Sequence, residues 1–311
     1  MKKIAIIGAG NVGGQAAFFC AQKKLGRVLL IDIKEGLAKG KALDQNQALY
    51  LMGINPLITG SEDISSLEGS DVILITCGVA RKPGMTREQL LKINLSIVRD
   101  ISHVVKRLSP QSIVLMMTNP VDILSYACMK FTGFPRERVI GQAGVLDSAR
   151  FATYISQRLD LSSADIDAVV LGGHGDTMVP VPEFTTVSGI PLPQMVSSED
   201  LDGLVKRTRN GGAEIISYLK DSSAYYAPSL SAVLMIEAVL KNEKRLFPCS
   251  VYVDGEYGMK GVFIGLPVVL SEKGVERVIC IDLPEERRDD LKRSFDFYRG
   301  EIEKIQSEVE A

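Results

Sequence analysis

The chain has 311 residues, 46% of them apolar, and a formal net charge of −2. That is enough apolar material for one large domain or two ordinary ones, and too little positive charge for broad binding of nucleic acid or of an anionic membrane surface. Five cysteines, at 20, 77, 128, 249 and 280, are odd in number and never spaced as CxxC, which fits a reducing cytoplasm and neither a disulfide framework nor a zinc site. No segment approaches the roughly 18 apolar residues of a membrane span. The apolar run of "MKKIAIIG" stops at Gly8, too short for the core of a signal peptide.

In the first half, short β-rich runs alternate with amphipathic segments: "KKIAIIG" and then 11–24, "RVLLID" and then 35–50, "DVILIT" and then 87–108, "SIVLMMT" and then 121–131. Strands and helices alternating at this spacing predict βαβ units on a parallel sheet. "TREQ", Thr86 to Gln89, has the spacing of a capping box and opens the third helix. From about residue 146 the rhythm changes. A helix over 146–160 leads to "DAVVLGGH", and "MVPVPEFTTVSGIPLP" suggests a hairpin. Helices over 198–219 and 224–241 follow, then strand-like runs "SVYVDGEYG", "GVFIGLPVVL" and "VERVICI". A last helix carries apolar residues at 291, 295, 298, 302, 305 and 309, the spacing of a buried stripe. The expected fold is α/β: an N-terminal parallel sheet over 1–145 and a mixed α+β domain over 146–311, with an active site between them.

"GAGNVG" places Gly8, Gly10 and Gly13 directly after a strand and at the start of a helix. The first glycine makes a tight turn, the second lets the backbone approach a pyrophosphate, and the third lets helix and sheet pack closely. Alone this is equally any tight strand–helix turn. Asp32 ends the next strand, 19 residues after Gly13, where an acid bonds ribose hydroxyls; it also reads as an ordinary polar strand end. Turn, helix and acid in register point to a dinucleotide. A carboxylate at Asp32 repels a 2′-phosphate, which favours NAD over NADP, with Lys34 close by as a counterweight.

There are two histidines. His103 falls on the polar face of its helix and reads as solvated. His174, in "LGGHGDT", ends an apolar strand among glycines that leave room for a ligand; it is either a turn histidine or an acid–base suited to neutral pH. "VLDSAR" sets Asp147 and Arg150 three residues apart on one helical face, as a surface ion pair or as the partner of a histidine and a clamp for a carboxylate. Asn119 in "TNPVD" lies at the carboxyl edge of the sheet, either as a site residue or as a turn before Pro120. "GVARKPGMTR" carries Arg81, Lys82 and Arg87 with no acid before Glu88. A cation in the first turn of a helix opposes the helix dipole, so Arg87 calls for an anion nearby.

These stretches, together with "SSAYYAPS", stand in the order and approximate spacing of the lactate/malate dehydrogenase family, which the chain resembles over essentially its whole length. "ARKPGMTR" with "RTRNGGAEI" is similar to the malate dehydrogenases built on the lactate-dehydrogenase plan. The resemblance implies a Rossmann domain, a substrate domain and a mobile loop at about 79–87 that closes over the substrate. It implies hydride transfer between NAD and (S)-malate, with no metal, in a cytoplasmic homodimer or homotetramer. His174 resembles the proton acceptor and Asp147 its partner; Arg150 resembles the clamp on the C1 carboxylate, Asn119 the residue bonding the reacting oxygen, and Arg87 the cation that polarises the C2 carbonyl. Arg81 resembles the selector of the substrate side chain, where glutamine would indicate a lactate dehydrogenase, and Ala224 a small residue lining the substrate pocket. Asn11 and Asn94 join Gly8, Gly10, Gly13, Asp32 and Asn119 at the positions expected to hold the cofactor. A lactate-type 2-hydroxyacid dehydrogenase differs only at Arg81. An NAD-dependent glycosidase would need metal ligands that these residues do not offer, and a non-catalytic NAD sensor would not need Arg87, Arg150 and His174 together.

Overall fold

A computed structural model describes residues 1–79 and 85–310, with the backbone alone for Arg87 and Glu310. Six strands build the N-terminal sheet: β1 Lys3–Ile7, β2 Arg27–Ile31, β3 Ile58–Ser61, β4 Val72–Ile75, β5 Ile113–Met116 and β6 Val139–Gly141. All pair in parallel, in the order β3-β2-β1-β4-β5-β6. β4 and β5 are buried at every position, as expected of strands covered by helices on both faces. The covering helices are α1 Asn11–Gln22, α2 Leu37–Leu51, α3 Arg87–Leu108 and α4 Val121–Thr132. Strand order reverses between β1 and β4, and in such sheets ligands sit beyond the carboxyl ends at this switch point. Gly8, Asp32, Gly78 and Asn119 all follow carboxyl ends of these strands. The capping box at Thr86 forms: Thr86 Oγ1 accepts the Gln89 N–H at 3.1 Å and Gln89 Oε1 accepts the Thr86 N–H at 3.0 Å.

The remaining elements are α5 Gly144–Leu159, β7 Ile166–Asp167, β8 Val170–Gly172, β9 Met178–Pro180, β10 Thr186–Val187, β11 Ile190–Pro191, α6 Ser198–Leu219, α7 Tyr226–Leu240, β12 Arg245–Asp254, β13 Lys260–Ser271, β14 Gly274–Val278 and α8 Glu285–Glu310. β12 joins the edge of the parallel sheet antiparallel, through Ser250 opposite Gly141. β13, β8 and β9 extend it, and β14 pairs with β13. A side chain at Gly141 would meet Ser250 at 2.8 Å, so this junction needs glycine. The larger core therefore runs from the parallel strands into α7, β12, β13 and α8, while a smaller one forms around Phe151, Ile155, Leu192 and Leu204. All six predicted apolar positions of α8 are buried, and Ser229 of α7 donates to the Val12 carbonyl of α1 at 2.8 Å.

Two strands go beyond the sequence expectation. β3 buries only Ile58 and contains Gly60, and β6 is three residues long, so neither leaves a period to read. The expected hairpin is the β10–β11 pair alone, because β9 pairs with β8. Among the described residues, no helix is long and apolar enough to cross a membrane.

Candidate active site

The glycine loop is built for an anion. Gly8 adopts φ +106°, where a side chain would also strike Cys77 and Thr76 at 2.7 Å, and a side chain at Gly13 would fall 1.8 Å from the Gly8 carbonyl. Internal packing accounts for both. At Gly10 a side chain would meet no described atom within 4 Å, so packing among the described residues does not account for this glycine. α1 starts at this point with no side-chain cap and no acid in its first turn, leaving amide N–H groups and the positive end of the helix dipole to a ligand. Asp32 accepts the Ala9 N–H at 2.7 Å and the Lys34 N–H at 2.9 Å, which ties the acid to the loop. These features fit a dinucleotide.

Asn11 is exposed at the head of α1, 3.4 Å from Ser222. Asn94 is 1% exposed and spends its amide on backbone, accepting from Val79 N–H at 2.8 Å and donating to the Asn119 carbonyl at 2.9 Å. Its reach toward any ligand is through the two chain segments it holds. Lys41, unmarked by any sequence signal, donates to the Gly10 carbonyl at 3.0 Å; burial pushes its pKa down against the pull of Asp32.

Asp147, His174 and Arg150 converge. The His174 ring, at Nδ1, lies 2.9 Å from Asp147 Oδ2, and Arg150 Nη1 donates to Asp147 Oδ1 at 3.0 Å. The Asp147 side chain is 2% exposed and that of Arg150 13%, so this i,i+3 pair is no surface ion pair. A carboxylate is acceptor-only, which puts the ring proton on Nδ1 and leaves Nε2 as the basic nitrogen. Burial opposes a charge on His174, but Asp147's charge and hydrogen bond outweigh it, so the pKa lies above 6.5. The Arg150 Nε is buried with no hydrogen-bond partner among the described residues, an orphan donor that a substrate carboxylate would satisfy. His174 and Asn119 line one cleft of about 320 Å³, walled further by Leu91, Ile123, Thr177 and Tyr298; Arg150 stands outside its wall. Ala224 is half-buried between α6 and α7. Arg81 and the Arg87 side chain lie outside the described residues. His103 is exposed, with its ring edge-on to Phe131.

Three groups here escaped the sequence reading. Asp122, fully buried in the first turn of α4, accepts the His174 N–H at 2.9 Å and the Ser250 hydroxyl at 2.6 Å. Tyr298 donates its hydroxyl to the His174 carbonyl at 3.2 Å. Asp122 was in plain view within "TNPVD", but nothing local links it to residues 52 and 128 positions away. Tyr298 reads as one member of an apolar stripe.

Residues 2–141 match the family model "lactate/malate dehydrogenase, NAD binding domain", and residues 144–309 match its "alpha/beta C-terminal domain". The chain belongs to the lactate/malate dehydrogenase family. It is 50% identical over 292 residues to a malate dehydrogenase of Roseiflexus sp. (strain RS-1), covering 94% of each chain. It superposes on the crystal structure of Cryptosporidium parvum malate dehydrogenase with a TM-score of 0.95 at 39% identity, covering 98% of this chain and 99% of that one. A lactate dehydrogenase from the same organism, crystallised with lactic acid and NAD, gives 0.94 at 36% identity over 98% of each chain. Family membership therefore settles the fold and the Rossmann sheet. Relatives of both substrate classes share it.

Proposed function

We propose that this chain is an NAD-dependent malate dehydrogenase, interconverting (S)-malate and oxaloacetate. The observation that carries the reading is the buried Asp147 carboxylate bridging the His174 Nδ1 and the Arg150 guanidinium, beside an uncapped glycine-loop helix. When bound, NAD supplies the hydride acceptor. Nε2 of His174 takes the hydroxyl proton of malate, and Asp147 stabilises the resulting imidazolium. Arg150 fixes the C1 carboxylate, Asn119 bonds the reacting oxygen, and Arg87 polarises the carbonyl in the reverse direction. Arg81 pairs with the distal carboxylate, which needs a cation of its own once water is excluded. In the proposed division of labour, 1–145 holds the cofactor and lends Arg81, Arg87 and Asn119 to the substrate, while 146–311 supplies the acid–base pair and the C1 clamp. Exposed apolar side chains on α2 (Tyr50, Leu51) and near α6 and α7 (Tyr218, Tyr226) support a homodimer or homotetramer, a state that sedimentation reads directly. Five free cysteines are in keeping with a cytoplasmic setting.

NADH oxidation with oxaloacetate and with pyruvate, run side by side, tests the reaction. Oxaloacetate should be favoured in kcat/KM by at least about 100-fold, the equivalent of one well-paired buried charge. A preference for pyruvate would instead make this a lactate-type enzyme. In the same assay NADH should outperform NADPH, and Asp32→Ser should narrow that preference by about tenfold or more by removing both a ribose acceptor and a repelling charge. An unchanged cofactor ratio in that variant would remove Asp32 from the adenosine pocket.

A further inference from the structure

Gly14 is a glycine that the turn of the glycine loop does not itself require. It follows Gly13 inside α1, where glycine is a poor helix former. The reason for it comes from another helix: a side chain at Gly14 would lie 3.1 Å from both Cδ and Nζ of Lys41. Lys41, on α2, passes over this gap and donates to the Gly10 carbonyl at 3.0 Å. That carbonyl has no need of it, since it already accepts the Gly14 N–H at 3.0 Å. One turn further along α2, Gln45 donates to the Gly14 carbonyl at 2.7 Å. A neutral amide therefore ties the two helices already, and a charge at Lys41 is not needed for the tie. Nor is the charge well placed among the described residues. Lys41 is half-buried, with desolvation pushing its pKa down against the pull of Asp32, and it sits at the positive end of the α1 dipole. Asp32 itself has its oxygens engaged by the Ala9 and Lys34 N–H groups. An anion at the glycine loop would answer the ammonium and the helix end together.

We propose that Lys41 is a cofactor-binding cation: reaching across Gly14 from α2, it adds a point charge to the amides of the glycine loop and serves the diphosphate of the dinucleotide. The proposal rests on the reading of that loop as a dinucleotide site and extends it, because it brings a third element to a cofactor otherwise met by α1 and by the acid after β2. An ammonium carries three N–H donors. With one on the Gly10 carbonyl, others remain for phosphate oxygens, which lysine serves as a compact point charge.

Three ligands that share adenosine and differ in phosphate test this: NADH by fluorescence titration, and ADP-ribose and adenosine by competition against it. Lys41→Met keeps most of the stem and removes the charge. It should weaken NADH and ADP-ribose by about tenfold, in the range for losing a hydrogen bond to a charged group, and leave adenosine within about twofold. The difference from wild type should shrink as salt rises, because a part-exposed charge pair is screened. Gly14→Ala favours the helix but crowds the lysine, so it should weaken the same two ligands by a smaller factor without lowering thermal stability. Gln45→Met cuts the neighbouring tie between the same helices and should leave all three affinities near wild type. Unchanged ADP-ribose affinity in Lys41→Met removes the phosphate contact and overturns the proposal. An equal loss of adenosine, or an equal loss in Gln45→Met, overturns it too, since Lys41 would then only support the loop. Should Lys41→Met fold poorly, unchanged ADP-ribose affinity in Gly14→Ala has the same consequence. Wild-type protein that binds none of the three ligands would defeat the cofactor reading instead, a result seen before any variant is compared.

Discussion

His174→Asn is expected to lower kcat for oxaloacetate reduction by about 10²- to 10⁴-fold, the range for removing a general acid–base, while NADH binding stays near normal. The asparagine cannot carry the proton, but it leaves the glycine loop, Asp32 and the uncapped α1 untouched, since these lie on the parallel sheet. Fluorescence titration of NADH beside steady-state kinetics separates the two effects. Near-normal turnover in this variant would sink the proposed chemistry. The pH dependence has a definite sign. Malate oxidation needs neutral His174, whose pKa is raised above 6.5 by Asp147 against the opposing effect of burial, so its acid limb should lie above pH 6.5 and vanish in the variant. Oxaloacetate reduction needs the protonated form and should weaken as pH rises through that raised value. Folding follows the same linkage: the native state binds this proton more tightly than the unfolded chain. Its contribution to stability is complete below the unfolded value and is lost as pH rises through the folded one.

What the sequence made legible is what is local. The glycine loop, its acid and the capping box each occupy a short window where spacing translates directly into backbone geometry. The stripe on α8 needs only a helical period, and the structure buries all six of its positions. β3 and β6 lacked such a signal because they bury too few residues to set a pattern. The spacing of Asp147 and Arg150 was readable, but their burial was not: a pair three residues apart on a helix looks the same in water as under α6. Asp122 shows the limit most clearly. Its function is to meet an amide and a hydroxyl delivered by distant parts of the chain, and only the joining of β12 to β6 brings Ser250 there. Likewise the continuous core through β6 and β12 follows from a single paired position, Ser250 with Gly141, that no periodicity announces.

The two arginines assigned to carboxylates should separate by how they treat two substrates. Arg150 is proposed to hold the C1 carboxylate, a group that oxaloacetate and pyruvate share. Arg150→Gln removes the guanidinium whose Nε is buried without a partner among the described residues, while an amide remains to serve Asp147. Losing one member of a buried charge pair costs about 2–5 kcal/mol of transition-state binding, or about 30- to 5,000-fold in kcat/KM. Both substrates should fall together, leaving their ratio nearly unchanged. Arg81→Gln should lower oxaloacetate by a comparable factor, since the distal carboxylate is left poorly paired in a closed site. Pyruvate presents only a methyl group there and should hold or improve, because no arginine then has to be desolvated beside it. Specificity is a ratio of two efficiencies, so the first substitution damages the enzyme and the second redirects it. If Arg81 is merely a solvated loop cation, both substrates will change by a similar small factor. If Arg150 serves only to neutralise Asp147, Arg150→Gln will depress kcat with little effect on KM for either substrate, and the clamp must be sought elsewhere.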